Sequence, residues 1–193
     1  MHRCQVELVK ICLAMMAAAS LGATHVHASE LNFAVASPTV TDKGRLSSAH
    51  VGIGSDCRGS NTSPALNWEG TPVGTRSFAV TVFDPDTPDG AGWWHWLVYD
   101  IPAPTHHLDA GAGSRRLRGL PQGSAQGKND FGNHRFDGAC PPAGDGPHRY
   151  QFTVHAMKKA RLDVQSGATA EEIGKLVITN ELAHTTIEAV YGR

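Results

Sequence analysis

The sequence has no excess of positive charge. Lysine and arginine number 17 against 18 acidic residues in 193, so there is no basic field of the kind that holds a nucleic acid. It also lacks an apolar run of the about 20 residues that a bilayer-crossing helix needs. The apolar stretch 11–23 is shorter, follows Arg3 and Lys10, and leads into polar residues with small side chains at Val26 and Ala28. That three-part pattern is the one of a secretory signal peptide, with cleavage expected after Ala28. The expected location is therefore periplasmic or secreted. Cysteine is scarce: Cys4 and Cys12 fall in the leader, which leaves Cys57 and Cys140. In an oxidising compartment these two read as one disulfide. Two separate buried thiols are the alternative, because a sequence does not show how closely two Cα atoms approach. No HExxH or GxSxG spacing occurs, and no serine or cysteine is evidently paired with a base, which argues against the common hydrolase designs. Repeats, low-complexity tracts and dividing linkers are absent too, so residues 29–193 read as one domain, long enough to bury its own core.

Glycine and proline are plentiful, at 21 and 11 residues, and fall mostly between short apolar stretches, as strands joined by structured turns require. Segments 77–83, 93–101 and 148–157 are rich in β-branched and aromatic residues and read as strands. Weaker strand candidates are 31–35, 63–68 and 185–191. One helix is expected over 169–183, because Thr169-Ala170-Glu171-Glu172 has capping-box spacing and Ile173, Leu176 and Val177 then share a face. The polar, glycine-rich segment 103–133 carries Arg115, Arg116 and Arg118, which read as a solvated group.

Three stretches carry candidate chemistry. Phe83-Asp84-Pro85-Asp86-Thr87-Pro88 closes the first strand with two fixed φ angles and two aspartates able to accept from nearby amides. In Trp93-Trp94-His95-Trp96-Leu97-Val98, strand alternation places Trp93, His95 and Leu97 on one face and Trp94, Trp96 and Val98 on the other. Finally, a loop containing Pro141 and Pro142 feeds a strand on which His148, Tyr150, Phe152 and Val154 share a face, with Arg149 opposite. A Gly/Pro loop ending in an imidazole and a phenol suits a small polar pocket, since backbone amides can approach a ligand and the side chains can donate hydrogen bonds.

Together the motifs FDPDTP, GWWHWLVYDIP, NDFG and GACPPAGDGPHRYQFTVHA resemble the phosphatidylethanolamine-binding protein family, in its bacterial Raf-kinase-inhibitor-like (YbhB/YbcL) branch. The resemblance spans about residues 33–193. It implies a mainly β fold, two antiparallel sheets in a Greek-key sandwich, with a short C-terminal helix before the last strand. It also implies a pocket for a small anion: phosphate, acetate or a phosphoryl head group. Carried over by motif, Asp84 and Asp86 match the acidic turn, His95 the tryptophan-motif histidine, Trp93 an aromatic wall, Pro141 and Pro142 the loop edge, and His148 and Tyr150 the end of the second signature.

The expected mechanism is binding, with no cofactor and no metal. His95 and His148 would donate charge-assisted hydrogen bonds, Tyr150 would complete the shell, and Asp84 or Asp86 would orient an imidazole and favour its charged form. Two other classes stand beside it. The Asp/His cluster has ligand types suited to a metal-dependent hydrolase. The same pocket could also read an acidic group displayed on a partner protein, which would make the chain an inhibitor or modulator.

Overall fold

The computed structural model describes residues 32–54, 56–114 and 119–193. The leader, its expected cleavage point, and Arg115, Arg116 and Arg118 lie outside the described residues. In chain order the elements are β1 (Ala34–Ala36), β2 (Ile53–Gly54), β3 (Cys57–Arg58), β4 (Leu66–Glu69), β5 (Ser77–Asp84), β6 (Trp93–Pro102), β7 (His107–Leu108), β8 (Ala125–Gln126), β9 (His148–Met157), α1 (Ala170–Asn180) and β10 (Glu181–Tyr191).

The three segments richest in β-branched and aromatic residues form the centre of the molecule. β5 pairs with β6 on one side and β9 on the other, within a five-stranded antiparallel sheet ordered β10-β9-β5-β6-β8. The stretch β9-β5-β6-β8 places the fourth of four successive strands of this sheet beside the first, which is Greek-key order. A second antiparallel sheet, β1-β4-β7, packs on one face. Leu66, Trp68 and Leu108 from it share a buried core with Phe78, Val80, Val82, Trp96 and Phe152.

The other face of the large sheet is covered by α1. Ala170 and Ile173 pack with Leu97 and Trp94, while Val177 packs with Ala79 and Met157. A strand covered on both faces has no solvent side to mark with polar residues; all of β5 except Phe83 is accordingly buried. The capping box forms in both directions, with Thr169 Oγ1 accepting from Glu172 N and Glu172 Oε2 accepting from Thr169 N. Such a cap contributes about 1 kcal/mol.

Several boundaries differ from expectation: β1 covers Ala34–Ala36 instead of 31–35, β4 covers Leu66–Glu69 instead of 63–68, and the helix end and last strand differ as well. The helix stops at Asn180 instead of 183, and the last strand starts at Glu181 instead of 185. Glu181-Leu182-Ala183 are good helix formers, but they pair with the end of β9 instead, Glu181 opposite Met157 and Ala183 opposite Ala156. Tertiary pairing outweighs propensity here. The two-stranded ribbon β2-β3 has no counterpart in the sequence reading. It carries Cys57, which is bonded to Cys140 with Cα atoms 6.0 Å apart across 83 residues of chain. Beside the bond, Ala139 bridges to Val51 in parallel. The approach needs glycine at 138, where a Cβ would stand 2.5 Å from the His50 carbonyl oxygen.

Candidate functional site

The strand β6 does not alternate as a regular strand would. Val82 pairs with Trp96 and Phe83 with Trp94, so one step on β5 answers two on β6 and His95 is the extra residue of a bulge. Trp94 and Leu97 pack toward the helix, whereas Trp96 and Val98 belong to the inter-sheet core. His95 is turned toward the core side as well, its ring edge-on to Tyr150 at 5.2 Å. The expected grouping of His95 with Leu97 is thus corrected, and the bulge is the reason, since an inserted residue re-aims the side chain it carries.

A polar clamp holds His95 in place. Its Nδ1 donates to the Asp137 carbonyl at 2.6 Å, and its own carbonyl accepts from Asn129 Nδ2 at 3.0 Å. Asn129 Nδ2 also donates to Asp137 Oδ2 at 2.9 Å. Burial pushes the imidazole pKa below its ordinary value, against the raising effect of the Asp137 carbonyl and nearby carboxylates. His95 is therefore a neutral imidazole at neutral pH, with Nδ1–H committed and Nε2 without a hydrogen-bond partner among the described residues. The expected charge-assisted donation from His95 gives way to a lone pair that accepts.

His95 lines a cavity of about 370 Å³ together with Asp84, Trp93, Pro141, Pro142, His148 and Tyr150. The end of β5 supplies Asp84, β6 supplies Trp93 and His95, and β9 supplies His148 and Tyr150 from one face. The disulfide at Cys140 anchors the start of the proline edge, and Arg193 Nε donates to the Pro141 carbonyl at 2.7 Å. Both Asp84 oxygens accept hydrogen bonds: Oδ2 from His148 Nδ1 at 2.8 Å and Oδ1 from the Asp86 amide at 2.8 Å. His148 and Asp84 are both buried.

Asp86 is the predicted residue that the structure places elsewhere. It does not line this cavity. Its carboxylate accepts from Arg149 Nη2 at 2.6 Å and Nε at 2.9 Å, and the guanidinium holds its pKa below the ordinary carboxylate value. The cause is the two-residue period of β9, which sends Arg149 to the side opposite His148 and Tyr150. Asp86 lines instead a smaller depression of about 270 Å³, shared with Asp145 and His148.

Tyr150 is 1% exposed, and its hydroxyl makes no hydrogen bond of ordinary length among the described residues, although the Asp84 carboxylate lies near enough to act on it. Burial first, then the Asp84 carboxylate, raise its pKa well above that of an ordinary phenol, so it remains an O–H donor. A buried hydroxyl left unpaired costs about 1–3 kcal/mol. Phe131, in the NDFG motif, also lines the cavity, a role the sequence alone does not assign. It stands edge-on to both Trp93 (5.5 Å) and His95 (5.3 Å) and completes an aromatic wall. Its signal was the turn itself, where Gly132 takes φ +80° and Asn133 N donates to Asn129 Oδ1. Asn129 stands in the same motif, whereas Asp137 carried no signal, because its role depends on the bulge.

The family model for phosphatidylethanolamine-binding protein matches residues 36–192. The chain belongs to the phosphatidylethanolamine-binding protein family. It is similar to the UPF0098 protein YbcL of Escherichia coli, 48% identical over 159 residues, covering 82% of this chain and 87% of that one. Similarity to the UPF0098 protein YbhB of the same organism is 45% over 150 residues, 78% and 94% of the two chains. The crystal structure of E. coli YbcL, described as a member of the mammalian PEBP family, superposes with a TM-score of 0.81 at 47% identity, over 83% of this chain and 98% of that one. In this family setting the observed sandwich is the expected fold, and the cavity is lined by residues from all four of the motifs that carry the resemblance.

Proposed function

We propose that the protein is an exported binding protein whose cavity holds a small anion, phosphate or a phosphoryl head group, without performing chemistry on it. The observation that carries this reading is the Tyr150 hydroxyl, a buried donor without a hydrogen bond of ordinary length in the wall of a cavity whose carboxylate, Asp84, already accepts from His148 and a backbone amide. A ligand oxygen would accept from Tyr150, and a protonated ligand oxygen, as in hydrogen phosphate, would donate to the free Nε2 of His95. The aromatic pair Trp93 and Phe131 would exclude water from these bonds and strengthen them. Export is supported by the leader pattern and by the Cys57–Cys140 bond, which suits an oxidising compartment.

Against the hydrolase alternative stands Asp86, which pairs with Arg149 and does not line the cavity. The partner reading keeps a specific support, because Trp93 and Phe131 are 37% and 46% exposed at the cavity, and exposed aromatics are enriched where proteins meet.

Calorimetry with phosphate and with phosphoethanolamine tests the proposal. Tyr150→Phe removes one hydroxyl and keeps the packed ring, so affinity should fall about tenfold, the worth of a hydrogen bond to a charged acceptor, while the melting temperature holds or rises. Unchanged affinity would sink this reading.

A further inference from the structure

Imidazoles and a carboxylate meet at a second place, the other end of β9. His155 lies seven residues beyond His148, about 23 Å along the strand. It faces away from the inter-sheet core, and His184 stands directly opposite it on β10. Glu181 lies three residues before His184, an odd separation that would put the two on opposite faces of a regular strand. The register shift between Glu181 and Ala183 corrects this: Leu182 is an inserted residue, and Glu181 lands opposite Met157, on the same face as His155. Glu181 Oε2 then accepts from His155 Nδ1 at 2.6 Å and Oε1 from His184 Nδ1 at 2.8 Å.

We infer that His155, Glu181 and His184 form a binding site for a divalent transition-metal ion of the zinc or copper type. The three groups offer one ligand atom each within 4.8 Å of one another. Around a tetrahedral zinc ion, ligand atoms about 2.1 Å from the metal are about 3.3 Å apart, so small side-chain rotations separate the observed contacts to that spacing. Two imidazoles and a carboxylate are the ligand types such ions select.

The outer shell is built as well. His155 Nε2 lies 2.9 Å from Thr81 Oγ1, a buried hydroxyl on the neighbouring β5. Without metal, His155 Nδ1–H donates to Glu181 and Nε2 accepts from Thr81. With metal on Nδ1, the ring proton sits on Nε2 and donates to Thr81 Oγ1, the support that metal-ligating imidazoles ordinarily have. Burial lowers the His155 pKa against the raising effect of Glu181. Burial would raise the Glu181 carboxyl, yet the bonds from His155 and His184 leave it below its ordinary value. His184 is 56% exposed at its side chain, which gives the ion an entry path and leaves its fourth position to solvent.

The test uses the untagged protein, zinc chloride and calorimetry, with a parallel thermal melt. One ion per chain should bind and raise the melting temperature. His184→Ala and Glu181→Gln should each weaken zinc binding by about tenfold or more and abolish the thermal shift, while His107→Ala, at an exposed histidine elsewhere, should retain both. The exposed His184 can be removed without opening the core, and the metal-free melt verifies folding. Zinc binding that survives both substitutions, or no binding by the unaltered chain, overturns the assignment. Phosphate affinity is read separately at the other end of the strand, so either proposal can fail alone.

Discussion

The two ends of β9 hold similar groups in different settings. At one end His148 and Tyr150 meet Asp84 beside a walled cavity, with a hydroxyl left without a hydrogen bond of ordinary length. At the other, His155 meets Glu181 and His184 at the edge of the sheet, where every polar atom of the trio that faces inward has a partner. Each end depends on a bulge: His95 on β6, Leu182 on β10. Bulges supply what a two-residue period forbids, neighbouring side chains on one face. The difference teaches that an unpaired donor in a cavity points to a guest with acceptor oxygens, whereas a closed His-Glu-His set points to an ion that replaces protons.

The largest effect should come from the bond that anchors only one of these ends. Replacing Cys57 and Cys140 together by serine releases a loop of 83 residues from the unfolded chain's constraint and should cost about 4 kcal/mol in the chain-entropy model. It should also loosen the Pro141-Pro142 edge. Chemical denaturation reads the stability, and calorimetry should show phosphate binding weakened while zinc binding persists. Equal losses at both ends would show that they are not separable in the way the sheet suggests.

Acid should act on both ends at once. His95 and His155 are both held neutral by burial, their folded pKa values below the ordinary imidazole value of about 6.5. Between that value and the depressed folded ones, the unfolded chain binds more protons than the folded chain, so stability rises with pH across this window. It is complete above about 6.5 and is lost as pH falls below it. The Glu181 carboxylate, with its lowered pKa, adds a further loss only in the carboxylate range. Melting temperature followed from neutral to mildly acid pH should fall, and His155→Gln should make the fall shallower. A rise in stability on acidification would contradict the neutral assignment of both rings.

How much of this was legible follows from the range of each signal. His148 and Tyr150 lie two residues apart in one strand, so their shared face was readable from period alone, as was the capping box at Thr169 and Glu172. Asp84 and His95 were readable only as members of a known motif set, because nothing local says that β5, β6 and β9 are neighbours. The bulge at His95 was not readable: Trp93-Trp94-His95-Trp96 carries no glycine or proline, and the inserted residue shows only in the pairing with Val82 and Phe83. The His155 site was hidden for the same reason, since Glu181 lies in what reads as the end of a helix. Its three ligands come together only when β10 pairs with β9.

Asp86 gives the smallest expected effect and the sharpest check on the division between facing and non-facing residues. It sits in the acidic turn two residues from Asp84, and the motif treats the pair as equivalent. The turn separates them: Asp84 accepts from His148 inside the cavity wall, and Asp86 from Arg149 outside it. Asp86→Asn keeps the amide contact to the turn and leaves Arg149 solvated, since exposed ion pairs contribute little. Phosphate affinity and melting temperature should both stay close to the unaltered values. A tenfold loss of affinity would mean that the field of Arg149 and Asp86 reaches the ligand through His148, and that the second depression belongs to the same site.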